Sequence, residues 1–330
     1  MSIFDQKVIK YEMKPLSSLE KVFPDETPVY RMECQMLSGL WGETVSFQVA
    51  YTGDFVMRER LDVRVVSELA EHVHVRTVEM VPVGRATNGI VDDNYLKTTS
   101  GLYPDLLKDL KDGKVIVYSR QWRSLWVDVD ITNEIPAGEY EIELQLIKEG
   151  EVVCSAKQKV TVIGTELPKL DIMHTEWMHA DCLADYYHVE VFSEEHWKLL
   201  ENYFQEYVKR DCNMMLTPLF TSPLDTAIGL ERTTCQLIDV EVKDGEYVFG
   251  FEKLKRWIDL CKKCGIEYFE MSHLFSQWGA KYAPKVVATV NGKKEKIFGW
   301  HTPAVGEYTK FLESFLPQLT AKLREWKLQM

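Results

Sequence analysis

Apolar and polar positions alternate with a period of two through the first half of the chain. In Leu125-Trp126-Val127-Asp128-Val129-Asp130-Ile131, the residues Val127, Val129 and Ile131 fall on one face and Asp128 and Asp130 on the other. Glu139 to Leu146 alternates as strictly, with Tyr140, Ile142, Leu144 and Leu146 inward, after a turn at Pro136-Ala137-Gly138. Val45 to Ala50, Leu61 to Val66, His72 to Val83 and Lys159 to Ile163 read as further strands. Short alternating strands separated by turns predict a β-sandwich over residues 1–165. The stretch from Gly84 to Leu102 is long for a loop in a compact domain and is either mobile or functional.

The period changes after Leu167-Pro168, which sets a second domain at residues 166–330. Lys169 to His179 reads as a strand. Ser193 is placed to cap a helix whose first turn carries Glu194 and Glu195, where carboxylates suit the dipole. Trp197, Leu200, Phe204, Tyr207 and Val208 form its apolar stripe. Asn213 to Phe220 is a second strand, followed by a hairpin-like insertion from Gln236 to Gly250. Leu254, Trp257, Ile258 and Cys261 stripe a second helix that Gly265 ends. Ile266 to Phe275 is a third strand, and a second insertion turns at Asn291-Gly292. A third helix runs from about Val305 to Trp326, with a kink expected at Pro317. Alternation of this kind predicts a parallel sheet, open or closed. The predicted class is therefore multidomain, β plus α/β.

Composition narrows what this fold could do. A hydrophobic fraction of 45% is enough for real cores. The net charge of −12 argues against nucleic acid, which needs a basic face. No apolar run reaches membrane-spanning length and the N-terminus lacks a secretory signal, so no membrane association and a cytoplasmic location are expected. The cysteines number seven, an odd and scattered set that reads as reduced thiols. Cys261-Lys262-Lys263-Cys264 sits at a helix end, the wrong end for a redox pair, and reads as structural. No glycine-rich phosphate loop follows any strand, so no nucleotide cofactor is expected.

Candidate chemistry gathers where the predicted strands give way to loops, the place where barrels and open α/β sheets put their sites. The first cluster is Trp177, His179 and Asp181, on one face of an extended chain, with His174 and Glu176 on the other. A His–Asp pair can hold a sugar hydroxyl, bind a metal or orient a proton donor. It is equally consistent with a satisfied buried histidine beside a helix-capping aspartate. No HExxH or paired-cysteine spacing supports a metal. The second cluster is Thr217, Thr221, Asp225, Glu231 and Arg232 in a proline-stiffened loop. The third is Glu270, His273, Gln277 and Trp278. Glu270 is the fallback acid/base candidate, against the plainer reading of a buried, paired glutamate. Trp300 adds an aromatic face farther along.

The runs Trp177-Met178-His179-Ala180-Asp181-Cys182-Leu183-Ala184, Phe192-Ser193-Glu194-Glu195-His196-Trp197, Leu216-Thr217-Pro218, Pro223-Leu224-Asp225-Thr226 and His273-Leu274-Phe275-Ser276-Gln277-Trp278-Gly279-Ala280 resemble a bacterial group of glycoside hydrolase domain-containing proteins. That group is related to glycoside hydrolase family 123, the β-N-acetylgalactosaminidases. The resemblance is strong from Lys169 to Pro303 and weaker before it. It implies an N-terminal β-sandwich followed by a (β/α)8 TIM-type barrel, and a hydrolase of carbohydrate metabolism. The mechanism it implies is substrate-assisted and retaining. The sugar's 2-acetamido group is the nucleophile, an Asp orients it, and the adjacent Glu protonates the leaving oxygen. This differs from the usual pair of separated carboxylates.

The chain departs from that pattern. The family's Asp-Glu pair belongs on a strand after the third helix, and the only Asp-Glu dipeptide here is Asp25-Glu26, in the first domain. The sequence therefore reads as the sandwich and the first three βα units of a barrel, truncated after the third helix, with no catalytic residue of the family's kind and no activity expected of this chain alone. Three strands cannot close a barrel. The open edge implies self-association, contact with a missing C-terminal half, or poor solubility. Under the resemblance, Trp177, His179, Asp181, Asp225, Arg232, Glu270, His273, Gln277, Trp278 and Trp300 would line sugar subsites with a carbohydrate as ligand and no metal or other cofactor. The alternative is a non-catalytic carbohydrate-binding or assembly module. A third reading is a different hydrolase that uses Glu270 or the His179–Asp181 pair.

Overall fold

A computed structural model describes residues 10–29, 36–55, 58–87, 89, 91–169, 171–224, 226–227, 229–277 and 279–328. The chain divides into two units, residues 1–169 and 170–330, each with its own core. The protein is β-rich and built from several sheets with few helices.

Among its described residues the first unit holds ten strands: β1 (Lys10–Ser17), β2 (Met36–Trp41), β3 (Thr44–Asp54), β4 (Glu59–Val66), β5 (Val73–Val83), β6 (Gly101–Asp109), β7 (Lys114–Val117), β8 (Arg123–Asp130), β9 (Gly138–Lys148) and β10 (Glu151–Glu166). They form two five-stranded sheets, ordered β1-β3-β8-β5-β6 and β2-β10-β9-β4-β7. Phe47, Val49, Leu125, Val127 and Val129 of the first sheet share one buried cluster with Ile142, Leu144, Leu146, Val160 and Val162 of the second. The period-2 pattern produces this directly, since alternate side chains of each strand turn to the same core. Asp128, on the opposite face of β8, accepts hydrogen bonds from Ser46 (2.6 Å) and the Trp126 indole (2.7 Å) and pairs with Arg76. The strands predicted for this unit are all present. The sequence pattern missed β1, β2, β6 and β7, which occupy or flank the sheet edges, where one-sided burial blurs the alternation.

The second unit contains α1 (Ala180–Tyr187), α2 (Glu194–Val208), β11 (Met214–Thr217), β12 (Asp239–Lys243), β13 (Glu246–Gly250), α3 (Glu252–Cys264), β14 (Tyr268–Met271), β15 (Val286–Val290), β16 (Lys293–Phe298) and α4 (Glu307–Glu325). Ser193 caps α2 by accepting from the His196 N–H, and Gly265, at φ 103°, ends α3. β11 and β14 pair in parallel, with Leu216 opposite Glu270. The two insertions are hairpins, β12 with β13 and β15 with β16, the second turning at Asn291 (φ 50°) and Gly292 (φ 79°). Glu241 and Val242 of β12 also pair in parallel with Thr289 and Val290 of β15, which joins the hairpins into one four-stranded sheet. α4 runs unbroken through Pro317.

One expected element is absent. Residues 171–179 form no strand, so the unit has two parallel strands of the βα kind where three were predicted. The segment lies beside the start of β11, where the Asn213 and Met214 N–H groups both donate to the His174 carbonyl (3.1 Å), but no ladder follows and side chains complete the attachment. The Asn213 side chain accepts from the His174 N–H (2.8 Å) and donates to the Ile172 carbonyl (2.8 Å). The Tyr207 hydroxyl accepts from the Glu176 N–H at 2.8 Å. These groups take the donors and acceptors that a neighbouring strand would have used. α1, a short helix the sequence reading did not foresee, then begins straight after His179.

Candidate functional site

The extended segment ends by projecting Trp177 over the C-terminal end of β14. The Trp177 indole N–H donates to Glu270 Oε2 at 3.0 Å, and the Trp177 and His273 rings meet edge to face with centroids 5.5 Å apart. Trp177 is 46% exposed, so its ring is a free face rather than a core residue. With one carboxylate oxygen engaged, Glu270 retains Oε1 as an acceptor, to which nothing donates among the described residues. The result is an aromatic plane beside a carboxylate and an imidazole, which suits a ligand with an apolar face and polar edges.

A second group forms at the start of α1. Asp181 and Arg232 make a two-pronged ion pair, Nε to Oδ2 at 2.8 Å and Nη2 to Oδ1 at 3.2 Å, with both side chains almost fully buried. The guanidinium also donates to Cys182 Sγ (3.0 Å) and the Leu224 carbonyl (3.4 Å). Burial alone would lower the Arg232 pKa, but the hydrogen bonds and charge of Asp181 leave it raised. Arg232 is thereby a latch that ties the 222–232 loop to α1. On the other side of that loop, Glu231 pairs with Lys296 at 2.6 Å and lies 3.7 Å from Lys285. The Lys296 hydrogen bond holds its carboxyl below the usual glutamate range, against the opposing effect of burial. The Trp300 indole N–H donates to the Leu230 carbonyl (2.7 Å), and its ring centroid lies 6.4 Å from that of Tyr282.

His179 takes the N-cap position of α1 with its carbonyl accepting from the Cys182 N–H (3.1 Å). The first helix turn is braced by His196, which is fully buried. The Phe192 N–H donates to His196 Nδ1 (2.9 Å), and His196 Nε2 lies 3.0 Å from the Ala180 carbonyl. A carbonyl can only accept, so Nε2 carries the proton and Nδ1 is bare. The ring is neutral, and burial holds its pKa below the ordinary histidine value, outweighing the Ala180 carbonyl and Asp181. As pH falls through about 6.5 the unfolded histidine binds its proton first, so this stabilisation is complete above that pH and declines below it toward the folded pKa. Urea midpoints measured from pH 7 to pH 5 should fall in the native protein, and His196→Gln should lack that part of the decline.

The ten residues expected from the sequence are thus distributed unevenly. Trp177, Glu270 and His273 come together, as do Asp181 and Arg232, while Trp300 flanks the Arg232 loop. Asp225 and Trp278 lie outside the described residues. Gln277 has a buried Nε2 with no hydrogen-bond partner among the described residues, as do the Ser222 and Thr226 hydroxyls. Ser222, Thr226, Arg232 and Trp300 line a void of about 10 Å³, about the volume for one water. Sequence reasoning missed Asn213 and Tyr207, which position the Trp177 segment, and Lys285 and Lys296, which hold the loop. Tyr207 carried a signal as a polar-tipped aromatic within an apolar helix stripe. Among the described residues no cluster of three His, Cys, Asp or Glu side chains is placed to hold a metal, and no helix is long and apolar enough to cross a membrane. A larger cavity, about 850 Å³, is lined by Val191, Phe192, Gln236, Val248 and Thr289 and contains none of the ten.

Comparison with known proteins bears on the same unit. Residues 177–329 match the model of the glycoside hydrolase 123 catalytic domain. No curated protein matches the sequence. Among solved structures, a family 123 glycoside hydrolase from Clostridium perfringens, studied for glycolipid glycan hydrolysis, superposes with a TM-score of 0.70 at 14% identity, over 96% of this chain and 56% of that one. The chain therefore spans 56% of the length of that hydrolase. A β-glucosidase from Listeria innocua aligns at 10% identity over 48% of this chain and 17% of its own, with a TM-score of 0.23. The N-terminal domain of PorA aligns at 11% over 44% of this chain and 99% of its own, also with a TM-score of 0.23. Only the first of these bears on the fold.

Proposed function

The chain is glycoside hydrolase family 123-like, and from that premise we propose that its second unit binds N-acetylhexosamine-containing glycans through the surface built by Trp177, Glu270 and His273. The observation that carries this is the Trp177–Glu270 hydrogen bond beside the His273 ring. It fixes an exposed aromatic plane next to a carboxylate acceptor. A pyranose would lay its C–H face on the indole and donate a hydroxyl to Glu270 Oε1, while the Asp181–Arg232 latch holds the neighbouring loop. The architecture inferred with this reading is a β-sandwich at residues 1–165 followed by the opening βα units of a (β/α)8-type barrel.

The chemistry served would be substrate-assisted and retaining. The acetamido oxygen attacks the anomeric carbon as the glycosidic bond breaks and the departing oxygen takes a proton. Water then reopens the cyclic intermediate with a second inversion, so configuration is retained. Residues 170–330 contain no adjacent Asp-Glu pair to orient the acetamido group and supply that proton. The role proposed for this surface is accordingly binding and orientation, with Glu270 as the fallback acid. Calorimetric titration with N-acetylgalactosamine should show binding that weakens about tenfold, or about 1.4 kcal/mol, in Trp177→Ala and in Glu270→Ala. An aryl N-acetyl-β-galactosaminide should not be turned over. Unchanged binding in both variants would sink the assignment of this surface. Turnover that collapses in Glu270→Gln would instead make Glu270 the acid. Binding without turnover also fits the second reading, a non-catalytic carbohydrate-binding module, to which the exposed Trp177 face is equally suited.

A further inference from the structure

The first unit carries a cavity of about 550 Å³ where the edges of its two sheets meet, walled by residues of β4 and β7 on one side and β5 and β6 on the other. Its charge is opposite to that of the chain. Arg58, Arg60, Lys108, Lys111, Lys114 and Arg123 line it, against Glu59, Glu79 and Asp109, in a protein of net charge −12. Several of these charges are already satisfied by groups outside the wall. Arg60 pairs with Asp112 (2.9 Å), Lys114 with Asp62 (2.8 Å), and Glu59 with Lys148 (2.9 Å) and the Tyr11 hydroxyl. Arg58, Lys108, Lys111 and Arg123 are left without a carboxylate partner among the described residues, facing Glu79 and Asp109.

Arg123 is the best-placed of the four. Its guanidinium lies 4.9 Å from the centroid of the Tyr118 ring, and Nη2 donates to the Gln121 side chain at 3.0 Å. Its Nε is buried and has no hydrogen-bond partner among the described residues. A guanidinium held in this way on the cavity wall is prepared for an anion, because carboxylate and sulfate oxygens match its fork. Tyr51 and Tyr118 supply aromatic wall, and the Thr77 hydroxyl already donates to Glu79 at 2.7 Å. The two remaining carboxylates would repel a polyanion but accept hydroxyl protons. The volume suits one or two pyranose rings.

We propose that this cavity binds an anionic sugar, a hexose carrying one carboxylate or sulfate group, with Arg123 on the anionic group and Glu79 or Asp109 on hydroxyls. Calorimetry on the full chain would use glucuronate, galactose 6-sulfate, galactose and inorganic sulfate as separate probes. The two anionic sugars should bind at least tenfold more tightly than galactose or inorganic sulfate. Arg123→Gln should weaken them about tenfold, and Lys108→Gln severalfold; Lys108 is exposed, so that variant remains informative even if Arg123→Gln fails to fold. Trp177→Ala, in the other unit, should leave this binding intact. Equal binding of galactose or of sulfate would overturn the proposal. So would wild-type affinity in the folded variants, or loss of sugar-acid binding in Trp177→Ala.

Discussion

Replacing Arg232 by alanine should destabilise the second unit by about 3–5 kcal/mol, the cost of leaving a buried charge without its partner. Asp181 is 6% exposed and accepts both guanidinium hydrogen bonds, so the variant strands a carboxylate that water reaches poorly. Asp181→Ala should cost a similar amount for the converse reason. Changing both residues to leucine should cost clearly less than the sum of the single changes, since no orphaned charge remains. Urea unfolding followed by tryptophan fluorescence reads this unit well, because six of the nine tryptophans lie beyond residue 170. A loss below about 1 kcal/mol in Arg232→Ala would show that the pair is solvated in solution and that the loop is held elsewhere.

Phe311→Ala should cost about 3–5 kcal/mol, the range for deleting a buried phenylalanine. The ring is fully buried in α4, with centroids 5.0 Å from Tyr247, 5.1 Å from Phe298, 5.4 Å from Phe249 and 5.5 Å from Phe220. It therefore joins α4 to both insertion hairpins and to the chain after β11. Phe311→Leu keeps most of the volume and should cost under about 1.5 kcal/mol. Thermal unfolding of the two variants would separate the effect of the cavity from any specific demand for an aromatic ring. Equal losses would mean that ring geometry, rather than volume, holds this cluster.

The parts of the fold legible in the sequence are those whose burial has a single period. β8 and β9 show it, and so does the stripe of Leu254, Trp257, Ile258 and Cys261 on α3. The strand expected here failed because the backbone of residues 171–179 is tied at single points, by the Asn213 and Met214 N–H groups, the Asn213 side chain and the Tyr207 hydroxyl, partners that no period announces. The pairing of β12 with β15 was illegible for a similar reason, since two hairpins with ordinary turns say nothing about which edges meet. Within the site, residue types and strand-end positions brought out Trp177, Glu270 and His273. The contact between Trp177 and Glu270 is a tertiary fact, set by how the irregular segment is tied beside β11 before it enters α1. Arg232 was visible as a candidate for ligand contact, whereas its guanidinium is consumed by Asp181 and Cys182.

The parallel pairing of Glu241 and Val242 with Thr289 and Val290 also sets an order of assembly. Each hairpin closes over a few residues and can form within about 1–10 μs. Their junction must wait for about 50 residues of chain, α3 and β14 included, to come to hand, and such long-range closures slow folding. Refolding should therefore show early hairpin protection and a later step in which β12 and β15 meet, with Phe311 acquiring its neighbours only then. Glu270 and His273 lie on the stretch of chain between β12 and β15, so the surface they form with Trp177, proposed above to hold a sugar, would be complete only late in folding.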